Sequence, residues 1–201
     1  MKLNETMLSF LEQDCLRRFG SPRGAQIYAR TEQCYQELVE QPPDRGSAAV
    51  RAHLEERLFP VMAYYKVLRE EGLPPEDALA YVREETRQDA NAQKDAMKKL
   101  AALPCAYTVY RLGAKRHMAA HFPDAGWTTE WVKCNGREIH FNLHRCLYWE
   151  LTRSHGCPEL CRVFCENDEI TFAGLLPKIR FARSGTLSGG AACCDFHFLK
   201  G

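Results

Sequence analysis

Apolar residues recur at three- and four-residue spacing through residues 1–122 and at every second position in several stretches after them. The chain therefore predicts a helical first part and an α+β second part. Asn4 stands where a first helix would be capped, Leu8, Leu11 and Cys15 share one face, and Gly20 closes it. A second helix opens near Pro22, carries Ile27, Thr31, Cys34 and Leu38, and stops at Pro42-Pro43. A third spans Ser47 to Glu71, burying Val50, Leu54, Leu58, Val61, Tyr65 and Leu68, with Gly72 as its end. Pro60 inside it removes a backbone donor and predicts a kink. Pro74-Pro75 opens a fourth helix that continues as a charged, solvated run to Lys99, and a fifth follows Pro104 as far as His121.

After Trp127 the period shortens to two. Trp131–Asn135 and Glu138–His144 predict a hairpin around Asn135-Gly136, with Ile139, Phe141 and Leu143 on one face and His140, Asn142 and His144 on the other. Helices are expected over Leu147–Ser154 and Pro158–Leu175. A second hairpin should join Lys178–Thr186 to Ala191–Leu199 through Ser188-Gly189-Gly190. The expected architecture is α+β: an N-terminal helical layer, then an antiparallel sheet of two hairpins with two intervening helices. Residues 1–122 and 123–201 are read as parts of a single domain spanning 1–201, with no repeat or low-complexity linker between them.

Length and charge add exclusions. With 201 residues, 45% hydrophobic content and a formal charge of +1, the chain can bury a core and shows no strongly basic nucleic-acid surface. The first residues lack the apolar stretch of a secretory signal, and no run is long enough to span a membrane, so a cytoplasmic protein is expected. The ten cysteines should then be thiols and not a disulfide framework. No phosphate loop, dinucleotide fingerprint or serine nucleophile elbow is present, which removes kinase, dehydrogenase and serine-hydrolase readings.

Six of those cysteines lie from Cys146 onward, among carboxylates and aromatics. Cys157, Cys161 and Cys165 fall four apart on one helix, a spacing that reads as a buried stripe rather than a metal knuckle. His117 and His121 lack the glutamate of a zinc-hydrolase helix, since position 118 is Met. On the last strand Cys193, Asp195 and His197 alternate with Cys194, Phe196 and Phe198. One face thus offers thiol, carboxylate and imidazole, the other an apolar surface that would raise the Cys194 pKa unless a cation lies near. Arg183, from the expected partner strand, could be that cation or could clamp a carboxylate through paired hydrogen bonds.

An ordered set of residues over roughly the last sixty positions resembles the L-2-amino-thiazoline-4-carboxylic acid hydrolase family. It comprises Asn142, Cys146 and Tyr148 before a helix, then Gly156, Pro158, Glu159 and Leu160, then Cys165 and Asp168. It ends with Arg183, Thr186, Leu187, Gly189, Gly190, Cys194, Asp195, Phe196 and Phe198. Leu58–Tyr65 is similar, more loosely, to the family's helical front half. The resemblance implies a bacterial hydrolase of cysteine metabolism that opens a small cyclic amidine carboxylate at a C–N or C–S bond to a carbamoyl-cysteine-type product. Its substrate would be held by Arg183 and Thr186, with Asn142 and Cys146 lining the site. Asp168, Asp195 or Glu159 would activate water, or Cys194 or Cys165 would attack directly. Glu159 has a second reading, as a first-turn carboxylate stabilising a helix N-terminus.

A more distant resemblance is to the vinyl-reductase-like small-ligand domain, some of whose members hold zinc. Arg183 and Thr186 stand where that pattern has Glu and Cys, which argues against a four-ligand metal site. No metal and no cofactor are expected. The only expected partner is a small molecule bearing a carboxylate, with no nucleic acid and no membrane, while a homo-oligomer is left open. The competing readings are a non-catalytic small-molecule binding or sensor module and a thiol-based metal or cofactor protein using Cys146, Cys165 and Cys194.

Overall fold

Helices α1 (Leu11–Phe19), α2 (Ser21–Val39), α3 (Ala48–His53), α4 (Phe59–Glu70) and the start of α5 (Pro75–Ala101) form the first unit of the computed structural model. The structure describes residues 1–201, and the chain divides into two compact units, Met1–Asp89 and Ala90–Gly201. Val50, Leu54, Leu58, Val61, Leu68, Leu11, Cys15 and Ile27 are all buried, as their spacing requires. Ser47 caps α3, its hydroxyl accepting from the Val50 N–H at 3.3 Å.

Pro60 does not simply kink the third helix. It has no N–H for the Glu56 carbonyl, and the chain widens into a π turn over Leu54–Leu58 in which Phe59 N–H reaches back to Leu54 O. Two carbonyls are thereby freed, and both find partners. Tyr35 Oη donates to Glu55 O at 3.0 Å, and Met7 N–H donates to Glu56 O at 3.0 Å.

That second bond also explains why no helix starts at Asn4. Residues Leu3–Glu5 form a single 3-10 turn. The Thr6 hydroxyl then donates to Leu3 O at 2.6 Å and accepts from Leu8 N–H at 3.2 Å. With the Met7 amide committed to Glu56, α1 begins only at Leu11.

The second unit holds the rest of α5, then α6 (Ala106–His121) and a four-stranded antiparallel sheet. Its strands are β1 (Trp127–Cys134), β2 (Glu138–Cys146), β3 (Ile179–Ala182) and β4 (Cys194–Lys200), in the order β1-β2-β4-β3. The first hairpin turns at Asn135, whose Oδ1 accepts from the N–H groups of Arg137 and Glu138 at 2.8 and 3.1 Å. Across β2 and β4, Ile139 faces Phe198, Phe141 faces Phe196 and Leu143 faces Cys194. Phe141 and Phe196 stack at 5.1 Å, and Tyr110 of α6 and Phe172 pack on Phe198 at 5.2 and 4.9 Å. The alternate register pairs His140 with His197 and Asn142 with Asp195.

Helices α7 (Leu147–Ser154) and α8 (Cys161–Phe172) lie between β2 and β3, with 3-10 turns at Pro158–Leu160 and Ala173–Leu175 flanking α8. The second hairpin is shorter than expected. Its paired part stops at Ala182 opposite His197, and residues 183–193 form a connection around a 3-10 turn, Leu187–Gly189. Gly190 follows at φ 90°, a left-handed conformation that glycine adopts without strain. No helix of the protein is long and apolar enough to cross a membrane.

Candidate active site

Arg183 leaves the ladder because its side chain is drawn inward. The guanidinium is 4% exposed and lies 5.4 Å from the ring centres of both Phe181 and Phe196. Nη1 donates to Asp168 Oδ2 at 3.0 Å, and Nη2 donates to the Cys165 carbonyl at 2.6 Å and to Glu169 Oε1 at 3.2 Å. Both terminal nitrogens are therefore engaged with α8, and Arg183 fixes Asp168 and the backbone of Cys165.

Asp195 is committed in a similar way. Both its oxygens accept from Ser184 N–H at 2.9 Å, and Oδ1 also accepts from Gly185 N–H at 2.9 Å. These bonds replace the ladder that the sequence suggested for residues 183–186. Against the cost of partial burial, the Ser184 and Gly185 amides hold the Asp195 pKa below the ordinary aspartate value, which makes it a poor proton acceptor. Asn142, its cross-strand neighbour, donates to Glu130 Oε2 at 3.4 Å. Neither group reaches toward the sulfurs. Glu159 lies in the first turn of the short 3-10 helix at Pro158–Leu160, half-buried.

The sulfurs gather on the other side of β2 and β4. Cys146 is the residue before α7, Cys161 and Cys165 are one turn apart on α8, and Cys194 opens β4. Cys161 is buried, and the neighbouring Cys146 and Cys165 thiols, then burial, push its pKa far up. The Cys165 pKa is lowered, first by the Cys161 thiol, against burial, and then by the Ser188 hydroxyl 3.4 Å away, while the Asp168 charge raises it and the Arg183 charge lowers it. The Cys146 pKa is also lowered, first by Cys161, against burial, with help from the Trp149 and Tyr148 amides at the α7 N-terminus.

Cys194 behaves in the opposite way. Burial pushes its pKa up to about 12 even though its sulfur accepts from Leu187 N–H at 3.2 Å. The Thr186 hydroxyl accepts from Gly189 N–H at 3.0 Å and sits 3.1 Å from the Ser188 hydroxyl, so the 183–193 connection presents Ser188 to Cys165. Beyond Arg183 along α8 opens a cleft of about 340 Å³, lined by Glu169, Phe172, Leu176, Arg180 and Phe181.

The candidate residues fall in different places. Cys146, Cys165, Cys194, Thr186, Asp168 and Arg183 do come together, whereas Asp195 holds a turn and Asn142 pairs with Glu130 on β1. The four-residue spacing of Cys157, Cys161 and Cys165 was read as a buried stripe, and no role was given to Ser188 or Tyr110. Tyr110 gave no signal in sequence: its burial and its proximity to Asp168, which raise its pKa, arise from how α6 meets the sheet. No group of three or more His, Cys, Asp or Glu side chains is arranged to hold a metal ion.

The fold and site define an α+β protein with several thiols close to a buried arginine. The family model for L-2-amino-thiazoline-4-carboxylic acid hydrolase matches residues 51–198, and the chain belongs to that family. No curated protein and no solved structure matches the chain.

Proposed function

We propose that this protein is a thiol-dependent hydrolase that adds one water to a small cyclic amidine carboxylate, L-2-amino-thiazoline-4-carboxylate or a close relative. The carrying observation is the placement of Cys165, whose sulfur lies 3.4 Å from the Ser188 hydroxyl and whose carbonyl accepts from the buried Arg183. Membership of a hydrolase family favours this over a non-catalytic binding module.

The carboxylates are poor candidates for activating water, because Asp195 is taken by two backbone amides and Asp168 by Arg183. A thiolate at Cys165 is the stronger nucleophile. It attacks the amidine carbon between ring sulfur and ring nitrogen. The carbon–ring-sulfur bond breaks, and the departing sulfur takes a proton from the water that then adds. The carbon is then held on Cys165 as an isothiourea. Water adds to it, the Cys165–carbon bond breaks, and a carbamoyl-cysteine leaves. The net change is one water added, with the Cys165 thiolate restored.

The test is incubation of the protein with L-2-amino-thiazoline-4-carboxylate, with mass spectrometry for a product one water heavier and a thiol reagent for the released sulfhydryl. Product formation that disappears in Cys165→Ser and persists in Cys194→Ser supports the reading. Undiminished turnover by a folded Cys165→Ser variant would overturn the thiol mechanism.

A further inference from the structure

A hydroxyl beside a thiol can point its hydrogen toward the sulfur or away from it, and its other neighbours decide which. A hydroxyl donates one hydrogen and accepts on its oxygen, whereas a backbone amide only donates and a thiolate only accepts. Four such groups form a row in the connection between β3 and β4. Gly189 N–H donates to Thr186 Oγ1 at 3.0 Å, Thr186 Oγ1 lies 3.1 Å from Ser188 Oγ, and Ser188 Oγ lies 3.4 Å from Cys165 Sγ. Ser188 is only 7% exposed, so its hydroxyl depends on these protein partners.

The two ends of the row set its direction. With Cys165 ionised, the Ser188 hydrogen points at the sulfur. The 3.1 Å contact between the hydroxyls then needs the Thr186 hydrogen, and the Gly189 amide meets the Thr186 oxygen from behind. Every group donates toward sulfur, and hydrogen bonds aligned in one direction strengthen one another. A neutral thiol accepts only weakly, so the same alignment gains little when Cys165 is protonated. The row therefore favours the thiolate over the thiol.

We infer that Thr186 is a positioning residue, which aligns the Ser188 hydroxyl on the Cys165 thiolate. Thr186 also caps the 3-10 turn Leu187–Gly189 through the same Gly189 amide. A cap alone holds the turn and acts on stability, whereas the alignment acts on the ionisation of one thiol. The role in that ionisation stands on the hydrogen bonds themselves, and only its effect on turnover rests on the proposed function.

The test titrates the ultraviolet absorbance of thiolate in the full-length protein, a readout that needs no reagent to reach the sulfur. Each protein is compared with its own Cys165→Ser counterpart, and the difference gives the Cys165 midpoint. Thr186→Val is expected to raise that midpoint, by less than Ser188→Ala does, and Thr186→Ser to restore it. Thr186→Ala, which cannot crowd the turn, is expected to agree with Thr186→Val. Added to Ser188→Ala, Thr186→Val is expected to give no further shift, because its route to the sulfur is already cut. A shift of equal size in both backgrounds would overturn the inference. So would an unmoved midpoint with a lowered melting temperature, which would leave Thr186 as a cap alone. With the hydrolase reading correct, the acid limb of kcat/KM for L-2-amino-thiazoline-4-carboxylate moves up in Thr186→Val together with the thiol midpoint. A shifted midpoint in a protein that shows no turnover as wild type would sink the hydrolase reading and leave the role of Thr186 standing.

Discussion

Cys165 and Cys194 carry the same side chain on neighbouring segments, yet their surroundings drive them in opposite directions. Cys165 has the Cys161 thiol and the Ser188 hydroxyl as neighbours that lower its pKa, whereas the single amide that Cys194 accepts does not offset its burial. Alkylation by iodoacetamide across a pH series should show Cys165 reacting with a midpoint below that of an ordinary thiol. Cys194 should stay unreactive until the pH nears 12. Removing the Ser188 hydroxyl in Ser188→Ala should move the Cys165 midpoint upward; an unmoved midpoint would assign the activation to Cys161 alone. For turnover, Cys165→Ser should cost about a thousandfold or more in kcat/KM, the scale of losing a nucleophile. Arg183 acts on this thiol from one step away, through the Cys165 carbonyl and Asp168. Arg183→Lys should therefore behave as a defective variant, because a single ammonium cannot fork to three acceptors while filling the space between two phenyl rings. Its signature would be an upward shift in the Cys165 alkylation midpoint together with lost activity.

At the scale of elements, the connection between β3 and β4 is where a side chain does the work of a strand. Asp195 binds the Ser184 and Gly185 amides, so Asp195→Ala should destabilise the protein by about 1–3 kcal/mol through unpaired backbone donors. Asp195→Asn retains an accepting oxygen and should keep most of both stability and turnover; urea melts of the two variants make the comparison. Period and turn chemistry made the sheet, its Asn135 turn and α7 legible, because each depends on residues close in sequence. The 183–193 connection was not legible, because an apolar and small-residue run there looks like strand until Arg183 is known to have acidic partners on α8. The π turn at Leu54–Leu58 was hidden for the same reason: Pro60 announces a lost hydrogen bond, but only the fold supplies Tyr35 and Met7 to take the freed carbonyls. Gly24 gives a further case. A Cβ there would overlap the Cys15 carbonyl and Leu16 Cα, so Gly24→Ala should destabilise by about 1–3 kcal/mol, outweighing the roughly 1 kcal/mol helix-propensity gain of alanine.

At the scale of the whole molecule, the response of stability to pH is governed near neutrality by a group far from the candidate chemistry in sequence. Glu85 is 2% exposed and lies 2.7 Å from Arg18 Nη1, with the hydroxyl of buried Tyr64 and the thiol of Cys15 nearby. Burial, only partly opposed by Arg18 and reinforced by Asp14, raises its pKa from 4.5 to about 7. Below about 4.5 the carboxyl is protonated folded and unfolded alike, and it contributes no slope. Between about 4.5 and 7 the unfolded chain has lost the proton while the folded chain keeps it, so unfolding releases a proton and stability falls as pH rises. Across that window the loss amounts to about 3 kcal/mol, since each pKa unit corresponds to about 1.4 kcal/mol. Urea unfolding at pH 5 and pH 7 should therefore show the protein less stable at the higher value, with most of the difference absent in Glu85→Gln. An equal slope in that variant would mean that Glu85 is ionised in the folded protein throughout, with Arg18 fully compensating its burial.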